Sequence, residues 1–372
     1  MYTLLNRHLS SKERCEKRRL VLVLENPLYS TNYGSAFLGN SLELIDQLEA
    51  NSVNLVITSP PFALQREKSY GNVDQELYVN WLFEFCEKVY RVLDPTGSFV
   101  IDLGGAYQSQ RPVRSLYNYH ILIKLCEELD FRLAEEFFWF NPSKLPSPIE
   151  WVNKRKIRAK DAVNTVWWLS KGDFPKADIK RVLVPYSERM KKLQQNPEKY
   201  YKPKLRPSGH DIGTGFAIDN GGAIPSNMLQ IPNTDSSSQY LRFCKDLEIK
   251  VHPARFPLKL PKFFIEFLTE PNDLVLDIFA GSNTTGLAAE TLQRRWIAFE
   301  QERQYLMASA FRFIQKDASV KYAKDLYTNL TDFPETLVID TTNIVEESQD
   351  IISVEDFLEE GINNPVQETL FT

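Results

Sequence analysis

The sequence predicts an α/β protein: a doubly wound, mostly parallel sheet carrying an inserted module. Three observations support this. Short apolar runs alternate with segments of helical spacing in both halves of the chain. Between the halves, residues 171–250 lose periodicity and are rich in proline and glycine. No apolar run approaches the roughly 20 residues that a membrane helix needs.

In order along the chain, AFLGN at 36–40 reads as a strand end, and SLELIDQLEA as a helix with Ser41 as its N-cap. VNLVI at 53–57 is a buried strand that stops at Thr58-Ser59-Pro60-Pro61. The helix after Asp74 sets Leu77, Trp81, Phe85, Val89 and Val92 on one face, and Asp94-Pro95-Thr96-Gly97 closes it. SFVIDLGG is a strand, 116–129 a helix, and FRLAEEFFWF and AVNTVWWLSK are strands. Beyond the irregular stretch come FPLKLPKFFIEFLTE as helix, DLVLDIF as strand, NTTGLAAETLQRR as helix, RWIAFE as strand and ERQYLMASAFRFIQ as helix. The chain thus divides into an N-terminal extension (1–26), a first part of the main domain (27–170), an insert (171–250), a second part (251–323) and an acidic tail (324–372).

Net charge is −5, but the average hides two opposed regions. Residues 141–210 hold 17 Lys and Arg against 6 Asp and Glu, a local +11, whereas 317–372 hold 2 against 13, a local −11. A field acts over a screening length of about 8 Å at physiological salt, so the basic middle can meet phosphates. Trp139, Trp151, Trp167, Tyr186, Tyr200 and Tyr201 interleave with it, which points to DNA. The four cysteines, Cys15, Cys86, Cys126 and Cys244, are scattered without a CxxC pair, so neither a metal site nor a disulfide framework is indicated and a reducing cytoplasm is expected. The basic N-terminus lacks the apolar core and cleavage site of a signal peptide.

Two loops carry chemistry. The strand–turn–helix at 273–293 contains Gly281-Ser282-Asn283-Thr284-Thr285-Gly286, which is neither GxGxxG nor a phosphate loop with a following GKS. Gly281 allows close backbone approach. Asp277 ends the strand, and about twenty residues on, RWIAFE ends in Glu300, a carboxylate able to accept both hydroxyls of a ribose. A ligand with a ribose and an amino-acid tail but no pyrophosphate fits, and S-adenosylmethionine (SAM) is such a ligand. A methyl donor needs a nucleophile, and the exocyclic amine of cytosine or adenine is a poor one because its lone pair is delocalised. In TSPPF, Ser59 Oγ and the Pro60 carbonyl can accept hydrogen bonds from such an amine. Two prolines hold the loop's aim, and Phe62 offers a flat face to a base taken out of the stack.

TSPPF, DIFAGSNTTG and HPARFP together resemble the beta-class amino-methyltransferases of DNA, in which the catalytic motif precedes the SAM motif. FALQREKSYGN, NPSKLPSPIEWVNKRKIR, DAVNTVWW and RPSGHDIG extend the likeness from about Pro27 to Asp317, toward the cytosine-N4 modification enzymes of restriction–modification systems. The resemblance implies the SAM-dependent methyltransferase fold with an inserted target-recognition module. It implies a catalytic loop of Ser59, Pro60, Pro61 and Phe62, with Asp102 as proton acceptor. It implies a cofactor site of Asn40, Phe256, Asp277, Phe279, Gly281, Ser282, Asn283, Thr284 and Glu300. Two positions depart from the family pattern: Asn283 stands for the last glycine of FxGxG, and Gly39-Asn40 for Gly-Asp.

Serine rather than aspartate before Pro-Pro favours cytosine N4 over adenine N6. A non-catalytic DNA-binding protein on the same fold would be free to lose Ser59 or Glu300, and both are kept. C5 chemistry needs a Pro-Cys nucleophile, and none of the cysteines follows a proline. The implied partner is duplex DNA with a short palindrome such as CAGCTG, protected from a cognate endonuclease. One strand is modified per visit, which suits a monomer. Phosphate contacts are expected from Lys154, Arg155, Lys156 and Arg158, and base readout from the insert. The tail is expected to be dispensable.

Overall fold

The computed structural model describes residues 24–62, 75–200, 218–233, 238–332 and 336–344. The N-terminal extension as far as residue 23, Cys15, FALQREKSYGN beyond Phe62, Tyr201, RPSGHDIG and residues 345–372 lie outside the described residues.

The larger of two compact units takes in the described residues up to Ala177 and from Asn227 onward. Its ten strands are β1 (Tyr29–Ser30), β2 (Gly34–Leu38), β3 (Val53–Thr58), β4 (Leu93–Leu103), β5 (Arg132–Phe140), β6 (Val163–Ser170), β7 (Met228–Gln230), β8 (Leu274–Asp277), β9 (Arg295–Glu300) and β10 (Leu337–Val338). They form one sheet in the order β10-β1-β2-β9-β8-β3-β4-β6-β5-β7. The five strands from β2 to β4 run parallel, and β6 lies antiparallel between β4 and β5. This is the doubly wound, mostly parallel sheet expected from the sequence.

Helices cover both faces, as a sheet buried on both sides requires. Ser41–Asp46, Gln75–Val92 and Tyr117–Glu128 pack on one face over Val56, Phe99, Ile101, Trp167 and Leu276. Lys259–Leu268, Thr284–Thr291 and Arg303–Ser309 pack on the other. There Phe137 meets Phe264 and Trp168 meets Phe267, both with ring centres 5.1 Å apart. The neighbours Trp167 and Trp168 thus face opposite layers, as the two-residue period of a strand dictates. Trp167 is fully buried and serves the core, not a DNA face.

Several local expectations change. Asn40, not Ser41, caps the first helix: its side chain accepts from the Leu42 N–H at 3.1 Å. Ser41 is buried, and its hydroxyl donates to the Ile278 carbonyl at 2.5 Å. The buried stripe of Gln75–Val92 runs through Tyr78, Leu82, Phe85, Cys86 and Val89, leaving Leu77 64% exposed. Spacing of three and four residues fits two adjacent stripes, and the sheet selects one.

The second unit takes in the described residues between Asp178 and Ser226. Its described part holds a short 3-10 turn (Ile179–Val182), the helices Glu188–Gln195 and Pro197–Tyr200, and a bridge between Val184 and Ala223. Residues 227–233 and 238–250, read from the sequence as part of the insert, belong to the larger unit. They supply β7 to the sheet edge and the helix Gln239–Asp246.

The acidic composition after Ala323 conceals structure. Val320–Asp332 is a helix that buries Ala323, Leu326 and Leu330. β10 pairs with β1, and buried Thr341 donates to the buried carboxylate of Glu290. Residues 324–332 and 336–344 are therefore part of the body, the helix because apolar residues recur every third or fourth position along it. Among the described residues, no helix is long and apolar enough to cross a membrane.

Candidate active site

Parallel strands place their C-terminal ends along one edge, and ligands of such sheets bind outside that edge. Here the loops after β2, β3, β8 and β9 meet the end of β4 and the start of β6 around a cavity of about 730 Å3. Asn40, Ser59, Pro60, Pro61, Phe62, Asp102, Phe256, Phe279, Gly281, Ser282, Thr284 and Glu300 all line it. The Ser-Pro-Pro-Phe and Gly-Ser-Asn-Thr loops are joined beneath it. Thr58 and Thr285 both donate to Asp277, each at 2.6 Å.

Asp277 itself is buried with both oxygens engaged, and Asn283 is fully buried below the loop; neither lines the cavity. They shape the loop from behind. Asn283 adopts the left-handed conformation with φ of 54°, which asparagine tolerates better than most residues. Its Oδ1 accepts from the Gly286 N–H at 3.0 Å, and its Nδ2 donates to the Tyr29 hydroxyl at 2.9 Å. A residue with this side chain thus replaces the family glycine while capping the helix that follows. Buried Arg312 donates to the Ser282 carbonyl at 2.6 Å and to its Oγ at 2.9 Å.

At the catalytic end, Ser59 Oγ donates to Asp102 Oδ2 at 3.0 Å, and Asn164 Nδ2 donates to Asp102 Oδ1 at 3.1 Å. Burial pushes the Asp102 carboxyl up to about 6, against the lowering pull of the Asn164 and Ser59 hydrogen bonds and the Lys144 charge. Phe62 lies over Gly104, where any added Cβ would sit 2.4 Å from its ring. Gly104 therefore provides the room that lets the phenyl ring line the cavity.

The cofactor end fits a nucleoside with an amino-acid tail. Glu300 accepts from the Gly281 N–H at 2.7 Å and the Glu302 N–H at 2.9 Å, which fixes its carboxylate at the rim. Burial raises its pKa. Gly281 has φ of 53°, and a Cβ there would stand 2.9 Å from the His252 ring, so only glycine leaves this backbone open. Phe279 packs on Phe85 and Trp81, with ring centres 4.9 and 5.7 Å apart, as an apolar wall.

Asn164, Lys144, His252 and Arg312 were not singled out from the sequence, and Trp81 and Phe85 were read only as one face of a helix. All six lie within stretches that were read as strand, helix or motif. The basic residues expected at DNA phosphates do not line the cavity. Lys154 and Arg155 share Glu150, at 3.2 and 3.1 Å, and Lys156 is exposed. Arg158 is committed to the carbonyls of Pro112 and Ile157, the closest contact 2.7 Å, so it braces the loop.

A cofactor cradle and a Ser–Asp acceptor pair at the carboxyl edge of this sheet define an amino-methyltransferase. The family model described as DNA methylase matches residues 53–311, and the chain belongs to that family, the N6 and N4 DNA methylases. Among relatives, the type II methyltransferase M.PvuII of Proteus hauseri is 59% identical over 306 residues, 82% of this chain and 91% of its own. The DNA adenine methyltransferase YhdJ of Escherichia coli (strain K12) is 25% identical over 279 residues, 72% of this chain and 78% of its own. The solved PvuII DNA methyltransferase (cytosine-N4-specific) superposes with a TM-score of 0.69 at 50% identity, covering 84% of this chain and 97% of that one.

Proposed function

We infer that this protein transfers a methyl group from SAM to N4 of a cytosine flipped out of duplex DNA. The observation that carries the choice of base is Ser59 before Pro60-Pro61, with its hydroxyl on buried Asp102. When bound, SAM supplies the methyl carbon, whose bond to sulfur breaks with the pair left on sulfur as the bond to nitrogen forms. Gly281, Ser282, Thr284, Phe279 and Glu300 hold it; Asn40 and Phe256 stand at the same cavity wall.

Phe62 takes the flipped ring. Ser59 donates its own proton to Asp102, which leaves the Oγ lone pairs for the amine. The Pro60 carbonyl offers the second acceptor. Both pull electron density out of the ring onto nitrogen and stabilise the positive charge that develops there. The methylated nitrogen carries one proton too many and is strongly acidic. That proton passes through Ser59 to the Asp102 carboxylate.

Digesting treated DNA to nucleosides and identifying the methylated one by mass spectrometry tests the assignment. N4-methylcytosine is expected; N6-methyladenine alone would overturn it. We further propose a short palindromic site such as CAGCTG, a monomeric enzyme that modifies one strand per visit, protection from a cognate endonuclease and a cytoplasmic setting. Base readout is assigned to the insert.

Glu300→Ala is expected to weaken SAM by about 1.5–3 kcal/mol, the scale of hydrogen bonds to a charged group. DNA affinity measured without SAM should stay unchanged. Equal loss of both in calorimetric titrations would make Glu300 purely structural.

A further inference from the structure

The loop that follows β5 borders the cavity and ends in a bare leucine. Asn141 and Lys144 line the cavity, and Leu145, the next residue, is 80% exposed. The loop is braced from several sides. Asn141 Oδ1 accepts from the Ser143 N–H at 3.1 Å and the Asn233 N–H at 3.2 Å. Lys160 donates to the carbonyls of Lys144 at 3.2 Å and Pro142 at 3.3 Å. The Asp161 N–H reaches the Ser147 carbonyl at 2.9 Å, and Arg114 grips the Asp161 carboxylate at 2.6 and 2.9 Å. Pro146 and Pro148 stiffen the chain on the far side of the leucine.

A braced loop that holds an aliphatic side chain in water, when its neighbour lines the site, calls for an occupant. The charge around it names one. Lys144 adjoins Leu145 on the cavity side, and Lys160 Nζ lies 3.2 Å from the Lys144 carbonyl, so two cations flank the apolar tip and suit a phosphate backbone. Drawing a base out of a duplex leaves a gap in the stack and an unpaired partner. Apolar side chains that enter a base step offset that loss. We propose that Leu145 is the wedge that enters the duplex where the target cytosine leaves it, while the adjoining cavity receives the base. This rests on the reading of the protein as a base-flipping methyltransferase. Exposure by itself does not select it. Phe174 is 89% exposed, but it follows Ser170, at the end of β6 away from Asn164 and the cavity. It therefore serves as the control.

The test uses full-length wild type, Leu145→Ala and Phe174→Ala on duplexes bearing the site at which the wild type methylates plasmid DNA. One duplex is fully paired. The second has an abasic position opposite the target cytosine, so that flipping breaks no pair. A third carries 2-aminopurine at the target position, as a fluorescent reporter of unstacking. Leu145→Ala is expected to slow methyl transfer on the paired duplex by about 10-fold or more and to lose the fluorescence rise. On the abasic duplex it should stay within about twofold of wild type, and Phe174→Ala should match wild type on both. Unchanged rates on the paired duplex, or equal losses on both duplexes, would overturn the wedge and leave the methyltransferase reading intact. A wild type that methylates no DNA would overturn that reading, and the wedge with it.

Discussion

Ser59→Ala is expected to lower turnover on DNA by about 100-fold or more, the scale of losing one preorganised group aimed at transition-state charge. SAM affinity should stay at the wild-type value, because Ser59 belongs to the loop after β3 and most of the cofactor cradle to the loops after β8 and β9. Single-turnover rates and SAM titration separate the two. A variant that turns over like wild type would remove Ser59 from the mechanism. The pH profile adds a second readout. Asp102 must be ionised to take the proton from Ser59, and its carboxyl is pushed up to about 6 by burial. The protonated form gains as pH falls, so the rate should drop below pH about 6 and level off above it. Asp102→Asn should abolish that limb along with most of the activity.

The residues of this pair differ in how far sequence alone reveals them. Ser59 and Glu300 stand in or beside short motifs, and the strands that carry them are plain apolar runs. Doubly wound folds place such loops on one edge, so their meeting follows from the order of elements. Asn164 is different. It reaches Asp102 only because β6 lies antiparallel to β4 with Val166 opposite Asp102. Hydrophobic spacing states neither strand partner nor register. The same blindness explains Leu77, since a three-and-four spacing matches more than one stripe of a helix. Asp277 illustrates a third gap: its sequence position suits a ligand contact, but two threonine hydroxyls and the Phe279 N–H consume its oxygens.

Ending the chain after Ala323 is expected to destabilise the protein severely. The truncation removes Leu326, Leu330 and Ile339, all buried, and takes the Thr341 hydroxyl from buried Glu290. Losing one large buried aliphatic side chain costs about 2–5 kcal/mol. Three such losses rival the roughly 5–15 kcal/mol that holds a typical domain folded. Thermal unfolding followed by circular dichroism should show a lost or strongly lowered transition. A wild-type melting curve would mean that β10 and the helix before it add nothing. Composition misleads here because charge fills the outer face of Val320–Asp332 and hides its inner one.

The asparagine at position 283 has a consequence for turnover. With its side chain bonded to the Gly286 amide and the Tyr29 hydroxyl, and Arg312 clamped on Ser282, the loop has its shape before any nucleoside arrives. Little backbone freedom is then lost on association, so affinity is set by contacts to the adenosine and amino-acid parts. The spent nucleoside, lacking only its methyl group and the charge on sulfur, presents nearly all of those contacts again. A rigid mould of this kind does not eject it by springing open. Spent cofactor therefore competes closely with fresh, and methylation slows as the ratio of the two falls, so the rate follows the methylating capacity of the cell.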